Sequence, residues 1–288
     1  MIRIDHENCI GCGACVDVCN VTKVFQLSDG KAQAVHPGRC WQCGQCVAVC
    51  PVDAVQHEIF PIGKSPLAGK TPGNLNNIST ILRQRRSTRT YKKNSVGREV
   101  VEKAICAARW APSAKNYQAV SWVVVDNPAI INELLTNTIR VLSQSAQDLR
   151  YQAQNNGSDP EKNSRTLSEA KSLEHLYRRY TREEDPLFFN APILLFGITP
   201  ISRFGRDDAV IAGFTIQLAA VQLGLATCQI GYFTAALLKE KNLAKDLLKI
   251  PEDHVIQIAL TMGYPMHPVH RLIDRNPHAI RWAESSDT

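Results

Sequence analysis

Eight of the ten cysteines lie before residue 51, in two short runs. The runs are CIGCGACVDVC (residues 9–19) and CWQCGQCVAVC (residues 40–50), and both have the spacing C-x2-C-x2-C-x3-C. Cysteines clustered in this way act as metal ligands or redox groups in a reducing compartment. Three thiolates on one tight loop can reach three irons of a cubic iron–sulfur cluster. Zinc and disulfides are the alternatives, but zinc sites usually take four ligands from two well-separated C-x-x-C pairs, so the pattern favours iron–sulfur clusters.

Residues 1–57 resemble the bacterial ferredoxins that carry two [4Fe–4S] clusters. The two cysteine runs carry this resemblance, together with the short stretches IRI, KAQAV and AVQH that frame them. Cys9 and Cys40 open the two halves of an internal repeat. The resemblance implies that the fourth cysteine of each run binds the cluster of the other run. The implied ligand sets are Cys9, Cys12, Cys15 and Cys50 for one cluster, and Cys19, Cys40, Cys43 and Cys46 for the other.

The residue after the fourth cysteine differs between the runs, because Pro51 follows Cys50 whereas Asn20 follows Cys19. Asparagine supplies a backbone N–H and a polar side chain that proline lacks. Hydrogen bonds to cluster sulfurs raise the reduction potential. Asn20 therefore either raises the potential of the cluster that Cys19 binds or faces water without effect.

Two later stretches carry groups suited to an organic phosphate cofactor. RQRRSTRTY, residues 83–91, crowds guanidinium groups and a serine hydroxyl into a few positions, and guanidinium forks match phosphate oxygens. WAPSAKNYQAVSWVVV, residues 110–125, places amide and hydroxyl side chains just before an apolar run. Amides in such a loop can donate to and accept from the edge of a heterocycle.

The composition is that of an ordinary globular protein of 288 residues, with 44% apolar and 21% charged residues. The length suits one large or two modest domains. No apolar run is long enough to span a bilayer, and MIRIDHENC lacks the features of a signal peptide, so we expect a cytoplasmic protein without a membrane partner. The formal charge of +6 comes from basic residues that are scattered apart from residues 83–89. A small anion is therefore favoured over nucleic acid as the partner of that stretch.

Patterns of apolar residues place these stretches in an architecture of two parts. Pro and Gly mark residues 58–77 as a linker between a domain at 1–57 and a domain at 78–288. Periodicity in the second domain predicts helices, buried strands and a polar loop. The predicted helices cover 78–87, 98–111, a long stretch after Pro128, and 207–224; the strands cover 121–126, 191–199 and 254–265; the loop covers 155–164.

The second domain resembles the FMN-dependent nitroreductase family from residue 79 to about 275. The residues that carry the resemblance are RRSTRTY, APSAKNYQ, GLATCQIGYF, MGYP and PVHRL. The whole chain is similar to the subgroup with a ferredoxin domain fused in front. The resemblance implies an α+β fold, in which an N-terminal two-cluster ferredoxin-like domain precedes an α+β sandwich around a mostly antiparallel sheet. It also implies a homodimer with FMN at the subunit interface.

The same resemblance implies roles for particular residues. Those that would hold the FMN phosphate and ribityl chain are Arg85, Arg86, Ser87 and Arg89, with Arg271 closing the phosphate site. Those that would approach the flavin from the neighbouring subunit are Pro112, Ser113, Ala114 and Asn116. Gln118 would lie close to the ring system, and Ile230 and Gly231 would pass it with their backbone. The chain departs from the family at Val269, where a basic residue is common, and at Ala119, where proline is common.

The function implied is an oxidoreductase that passes electrons through two [4Fe–4S] clusters to FMN and on to a nitroaromatic, a quinone or another small two-electron acceptor. Reduced ferredoxin, flavodoxin and NAD(P)H are the candidate donors. Two alternatives stay open: an NAD(P)H-dependent flavin reductase with the clusters on a side path, and an electron carrier without its own substrate. No side chain is identified as a catalytic acid or base, and the natural acceptor is left open.

Overall fold

The computed structural model describes residues 2–64, 78–155 and 160–282. It divides the chain into two compact units, Met1–Lys70 with Val269–Thr288, and Thr71–Pro268. Residues 65–77 of the predicted linker lie outside the described residues. The segment from Val269 onward belongs to the first unit, although the domain boundary predicted from the sequence places it in the second domain.

The described part of the first unit contains two small antiparallel sheets, two one-turn α-helices and two short 3-10 helices. The elements are β1 (Ile2–Ile4), α1 (Ala14–Val18), β2 (Phe25–Ser28), β3 (Lys31–Ala34), α2 (Gln45–Val49) and β4 (Val55–His57). β1 pairs with β4, with Ile2 opposite His57, and β2 pairs with β3 in a hairpin. β1, β3 and β4 lie within the stretches IRI, KAQAV and AVQH that frame the cysteine runs. Each helix follows the first cysteines of one run, as an internal repeat requires.

The core of the first unit is small and includes cysteine side chains. Its buried members include Val24, Phe25, Ala48, Val55 and Phe60, together with Cys9, Cys15, Cys46, Cys50 and Ile273. A unit of this size buries too little apolar surface to be stable by that alone, so bound clusters are expected to contribute to its folding.

The second unit contains a four-stranded antiparallel sheet of order β5-β6-β8-β7. The strands are β5 (Ser121–Val125), β6 (Ile193–Pro200), β7 (Ala226–Gln229) and β8 (His254–Gly263). This confirms the expected α+β class and the three predicted strands. β7 was not predicted, because its four residues, ATCQ, show neither a long apolar run nor alternation.

Helices cover both faces of this sheet. They are α3 (Ile78–Gln84), α4 (Arg98–Cys106), α5 (Pro128–Asn155), α6 (Pro160–Tyr180), α7 (Gly205–Gln222) and α8 (Gly231–Lys239). Successive side chains of β6 point to opposite faces of the sheet. Leu194 and Phe196 belong to the hydrophobic core that includes α5. Ile193 and Leu195 belong to the core that includes α7. Burial on both faces explains why β6 is a continuous apolar run.

The predicted loop at 155–164 is partly wrong, because α6 begins at Pro160; residues 156–159 lie outside the described residues. Proline suits the first position of a helix, and the Glu and Lys residues that follow are good helix formers. The helix predicted at 207–224 is confirmed as α7, which is buried on one side only. Ile211 and Phe214 of α7 are 40% and 41% exposed.

Candidate cofactor sites

The eight cysteines of the two runs form two groups of four. Burial raises the pKa of the Cys15 thiol to about 12, and the neighbouring thiols of Cys50, Cys12 and Cys9 add to the rise. Burial likewise raises the pKa of the Cys46 thiol, with added contributions from Cys43, Cys19 and Cys40. The structure thus brings together the same two sets of cysteines that the resemblance to ferredoxins implies.

The backbone around each run explains why the fourth cysteine of one run lies with the first three cysteines of the other. Gly13 and Gly44, immediately before α1 and α2, have φ angles of 77° and 70°, which glycine adopts without steric cost. α1 and α2 pack against each other. Cys19 and Cys50 follow the last turns of these helices, so each lies beside the loop of the other run.

Backbone N–H groups donate to two of the cysteine sulfurs. The N–H of Ala54 donates to Sγ of Cys50 at 3.2 Å, and that of Gln42 donates to Sγ of Cys40 at 3.4 Å. Buried thiols keep their protons in the absence of metal, and iron displaces those protons on binding. The four-cysteine groups and their donors therefore fit two iron–sulfur clusters.

The predicted phosphate stretch, residues 85–89, runs beside β7. Ser87 forms a parallel bridge with Thr227, and the N–H of Thr88 donates to the carbonyl of Thr227 at 3.0 Å. The guanidinium of Arg89 donates to the carbonyl of Ser87 at 3.3 Å. This pairing brings the stretch close to the predicted Ile230–Gly231 segment, which follows β7 directly.

Positive charge gathers at the end of β7. Burial raises the pKa of the Cys228 thiol, while the charges of Arg89 and Arg85 act against that rise, so both guanidinium groups lie near this thiol. Arg86 is buried, and Arg85 lies over the ring of Phe214, 6.0 Å from its centroid. Such a concentration of guanidinium groups suits an anion such as a phosphate.

The predicted flavin loop is held in place by α7. The N–H of Ala114 donates to Oδ1 of Asp208 in the first turn of that helix, at 3.0 Å. The N–H of Gln118 donates to Oγ of Ser113 at 3.0 Å, and its side-chain amide donates to Oδ1 of Asn116 at 3.1 Å. Lys115, Asn116 and Gln118 all have φ angles between 51° and 55°, which are unusual for residues other than glycine. These hydrogen bonds fix the orientation of the amides in the loop.

A cavity of about 240 Å³ adjoins this loop and is lined by Pro112, Ser113, Gln118, Trp122 and Asp208, among others. Asp208 was not among the predicted site residues. Its contact joins positions 94 residues apart, which no local sequence pattern reveals.

Ile230 and Gly231 join β7 to α8. The N–H of Ile230 donates to the carbonyl of Ala259 at 2.9 Å, and the Ile230 side chain is buried. Gly231 is exposed, and a Cβ placed there would meet no atom within 4 Å. A ligand can therefore approach the backbone at Gly231.

Arg271 is not grouped with these residues but lies in the first unit, where it donates to both carboxylate oxygens of Asp53. This hydrogen bonding raises the pKa of the Arg271 guanidinium. The N–H groups of His270 and Arg271 both donate to the carbonyl of Ala48 in α2, at 2.7 and 3.1 Å. The role at the phosphate that the resemblance gives to Arg271 stays a prediction, and it competes with this observed pairing.

Family models match both parts of the chain. The model of the nitroreductase family matches residues 82–264, and the model of the 4Fe-4S dicluster domain matches residues 8–54. No helix among the described residues is long and apolar enough to cross a membrane.

Two known proteins illustrate these similarities. Ferredoxin-2 from Desulfomicrobium norvegicum is 55% identical over 31 residues, which are 11% of this chain and 51% of that protein, so the chain spans about half the length of this curated relative. The crystal structure of a nitroreductase with bound FMN from Desulfitobacterium hafniense is 22% identical, with a TM-score of 0.51 over 73% of this chain and 100% of that chain. The second similarity shows a shared fold.

Proposed function

The chain belongs to the nitroreductase family, and we propose that it passes electrons through two [4Fe–4S] clusters to FMN and on to a small two-electron acceptor. The observation that carries this proposal is the presence of two four-cysteine groups in the same chain as a guanidinium-rich stretch and an ordered amide loop. The first unit would collect single electrons, and the second would hold the cofactor that delivers them.

Residues of the second unit bind and orient the flavin in this proposal. Arg85, Arg86, Ser87 and Arg89 hold the phosphate and ribityl chain, and Asn116 and Gln118 contact the ring system. When bound, FMN accepts electrons singly and delivers them in pairs, which links one-electron clusters to a two-electron acceptor. Position and electrostatics are the contribution of the chain, and no side-chain acid or base is assigned.

The flavin site is shared between two copies of the chain. Ile211 and Phe214 expose apolar surface on α7, and Phe214 lies under Arg85 of the phosphate stretch. Packing of this face against a second copy would place the subunit interface beside the phosphate stretch. The loop at 112–118, anchored to the first turn of α7, would then approach the flavin of the other subunit.

Cofactor analysis is the first test. Eight ligating cysteines in two groups predict about eight iron and eight sulfide per chain, measured on protein purified without oxygen. Half that content, or zinc in place of iron, would contradict the two-cluster assignment.

The order of reduction is the second test. The intact protein is mixed without oxygen with reduced ferredoxin, reduced flavodoxin or NAD(P)H, and the reaction is followed by absorbance and freeze-quenched electron paramagnetic resonance. Electrons that enter through the first unit reduce the clusters before the flavin. Flavin reduction by NAD(P)H that precedes cluster reduction would instead place the clusters on a side path.

Turnover of an acceptor is the third test. A nitroaromatic or quinone should be reduced faster by the protein than by free FMN at equal concentration. Equal rates would favour an electron carrier without a substrate of its own.

A further inference from the structure

His57, the last residue of β4, lies against one sulfur of the second four-cysteine group. Its side chain is only 7% exposed, and its ring packs on that of Phe60 with the centroids 4.9 Å apart. Nε2 of the ring lies 3.6 Å from Sγ of Cys40. This contact joins the strand that closes the first sheet to the start of the second cysteine run.

The position of the ring proton follows from a second hydrogen bond. The backbone N–H of Ile59 donates to Nδ1 of His57 at 3.1 Å. A ring nitrogen that accepts a hydrogen bond carries no proton, so the neutral imidazole carries its proton on Nε2. The Nε2–H group therefore points at the Cys40 sulfur.

The internal repeat gives the first half no equivalent donor at this position. When residues are counted from Cys9 and from Cys40, the residue that corresponds to His57 is Gln26, whose side chain is exposed on β2. The repeat therefore has a buried imidazole in one half and a solvated amide in the other.

We propose that Nε2–H of His57 donates a hydrogen bond to the Cys40 sulfur and thereby raises the reduction potential of the cluster held by Cys19, Cys40, Cys43 and Cys46. The inference rests on the cluster assignment of the proposed function. A donor to a ligating sulfur stabilises the reduced cluster, which carries one more negative charge than the oxidised cluster. His57 is thus a tuning residue for the potential of this cluster.

The matched test compares His57→Phe with His36→Phe in the full-length, cluster-loaded protein. Phenylalanine keeps an aromatic ring against Phe60 but removes the donor, whereas His36 is exposed and lies four residues before Cys40. Redox titration followed by electron paramagnetic resonance gives the potential of each cluster. His57→Phe should lower the equilibrium constant for reduction of the second cluster about tenfold, a fall of about 59 mV for one electron. The first cluster, and both clusters of His36→Phe, should keep their potentials.

A spectroscopic measurement tests the contact directly. Histidine labelled with 15N is incorporated into the otherwise unlabelled protein. The electron spin echo envelope modulation of the reduced second cluster is then recorded, since it detects nitrogen nuclei coupled to the electron spin of the cluster. A coupled histidine nitrogen is expected in the native protein and in His36→Phe, and its loss in His57→Phe. Absence of that coupling in the native protein would overturn the inference.

Iron analysis distinguishes a failure of the cluster assignment from a failure of the role proposed for His57. A chain that binds fewer than two clusters contradicts the proposed function itself. A chain that binds both, with potentials unchanged in His57→Phe or a shift confined to the first cluster, contradicts only the role of His57.

Discussion

Arg89 gives the phosphate site its clearest test at the scale of single residues. Its guanidinium lies beside the Ser87 carbonyl and near Cys228, within the stretch paired to β7. Arg89→Ala should weaken FMN binding by about ten- to a hundredfold, because a hydrogen bond to a charged group contributes roughly 1.5–3 kcal/mol. Fluorescence titration of the flavin-free protein with FMN measures the change, and iron content should stay the same.

Two comparisons sharpen this measurement. Arg98 forms a surface ion pair with Asp126 at 2.8 Å, and such pairs contribute little to stability, so Arg98→Ala should leave FMN affinity unchanged.

Arg271→Ala tests whether the guanidinium of Arg271 pairs with Asp53 or binds the FMN phosphate. The pairing with Asp53 predicts loss of iron from the first unit, whereas a role at the phosphate predicts weaker FMN binding. Unchanged FMN affinity in both Arg89→Ala and Arg86→Ala would mean that the phosphate lies elsewhere.

Residue types and spacing indicated the two cysteine runs, because both are local, and the resemblance to ferredoxins supplied the two ligand sets. The same method missed His57 and Asp208, since each acts on a residue that is distant in sequence. A buried histidine beside a cluster has no local signature. Its partner becomes evident only when β4 closes against β1 and brings the strand end to Cys40.

The segment from Val269 onward belongs to the first unit, which changes the domain boundary predicted from the sequence. Ile273 is 2% exposed and belongs to the core of the first unit, and a Cβ added at Gly44 would lie 2.7 Å from its Cγ2 atom. Ile273→Ala should destabilise this unit by about 2–5 kcal/mol, as buried isoleucine truncations do. The measurement is the rate of iron loss to a chelator, followed by cluster absorbance.

Ile280 provides the matched control for that substitution. It lies in the same segment but is 77% exposed, so Ile280→Ala should lose iron at the native rate. Equal rates for the native protein and Ile273→Ala would show that the segment does not support the clusters.

The sequence predicted most regular elements of the second unit but not this segment. β6 and β8 are long apolar runs buried on both faces, and such runs are visible without a structure. PVHRL, by contrast, has no periodicity, and the resemblance to nitroreductases placed it at the flavin. Its hydrogen bonds to Ala48 connect residues more than two hundred positions apart, beyond any local pattern.

The pairing of two copies is a prediction for the whole molecule. Ile211 contributes apolar surface to the exposed side of α7, and a carboxylate there would be buried without a partner in the proposed dimer. Ile211→Asp should therefore yield monomers that bind FMN weakly while keeping the native iron content. Light scattering coupled to size-exclusion chromatography measures the mass in solution.

Ile201→Asp is the comparison for this substitution, because Ile201 is also exposed but precedes α7. It should leave the dimer and the flavin unaffected. A native protein that runs as a monomer with tightly bound FMN would contradict the shared site.

The first unit draws on both ends of the chain, and this arrangement dictates an order of events during synthesis. A ribosome that has completed Phe60 must add about 200 more residues before Ile273 can join the same core, which at about 5–20 residues per second takes roughly 10–40 s. During that interval both cysteine runs have been synthesised, but the core around them lacks Ile273. The cell must therefore either load iron into an incomplete unit or protect its eight thiols until Ile273 has been added.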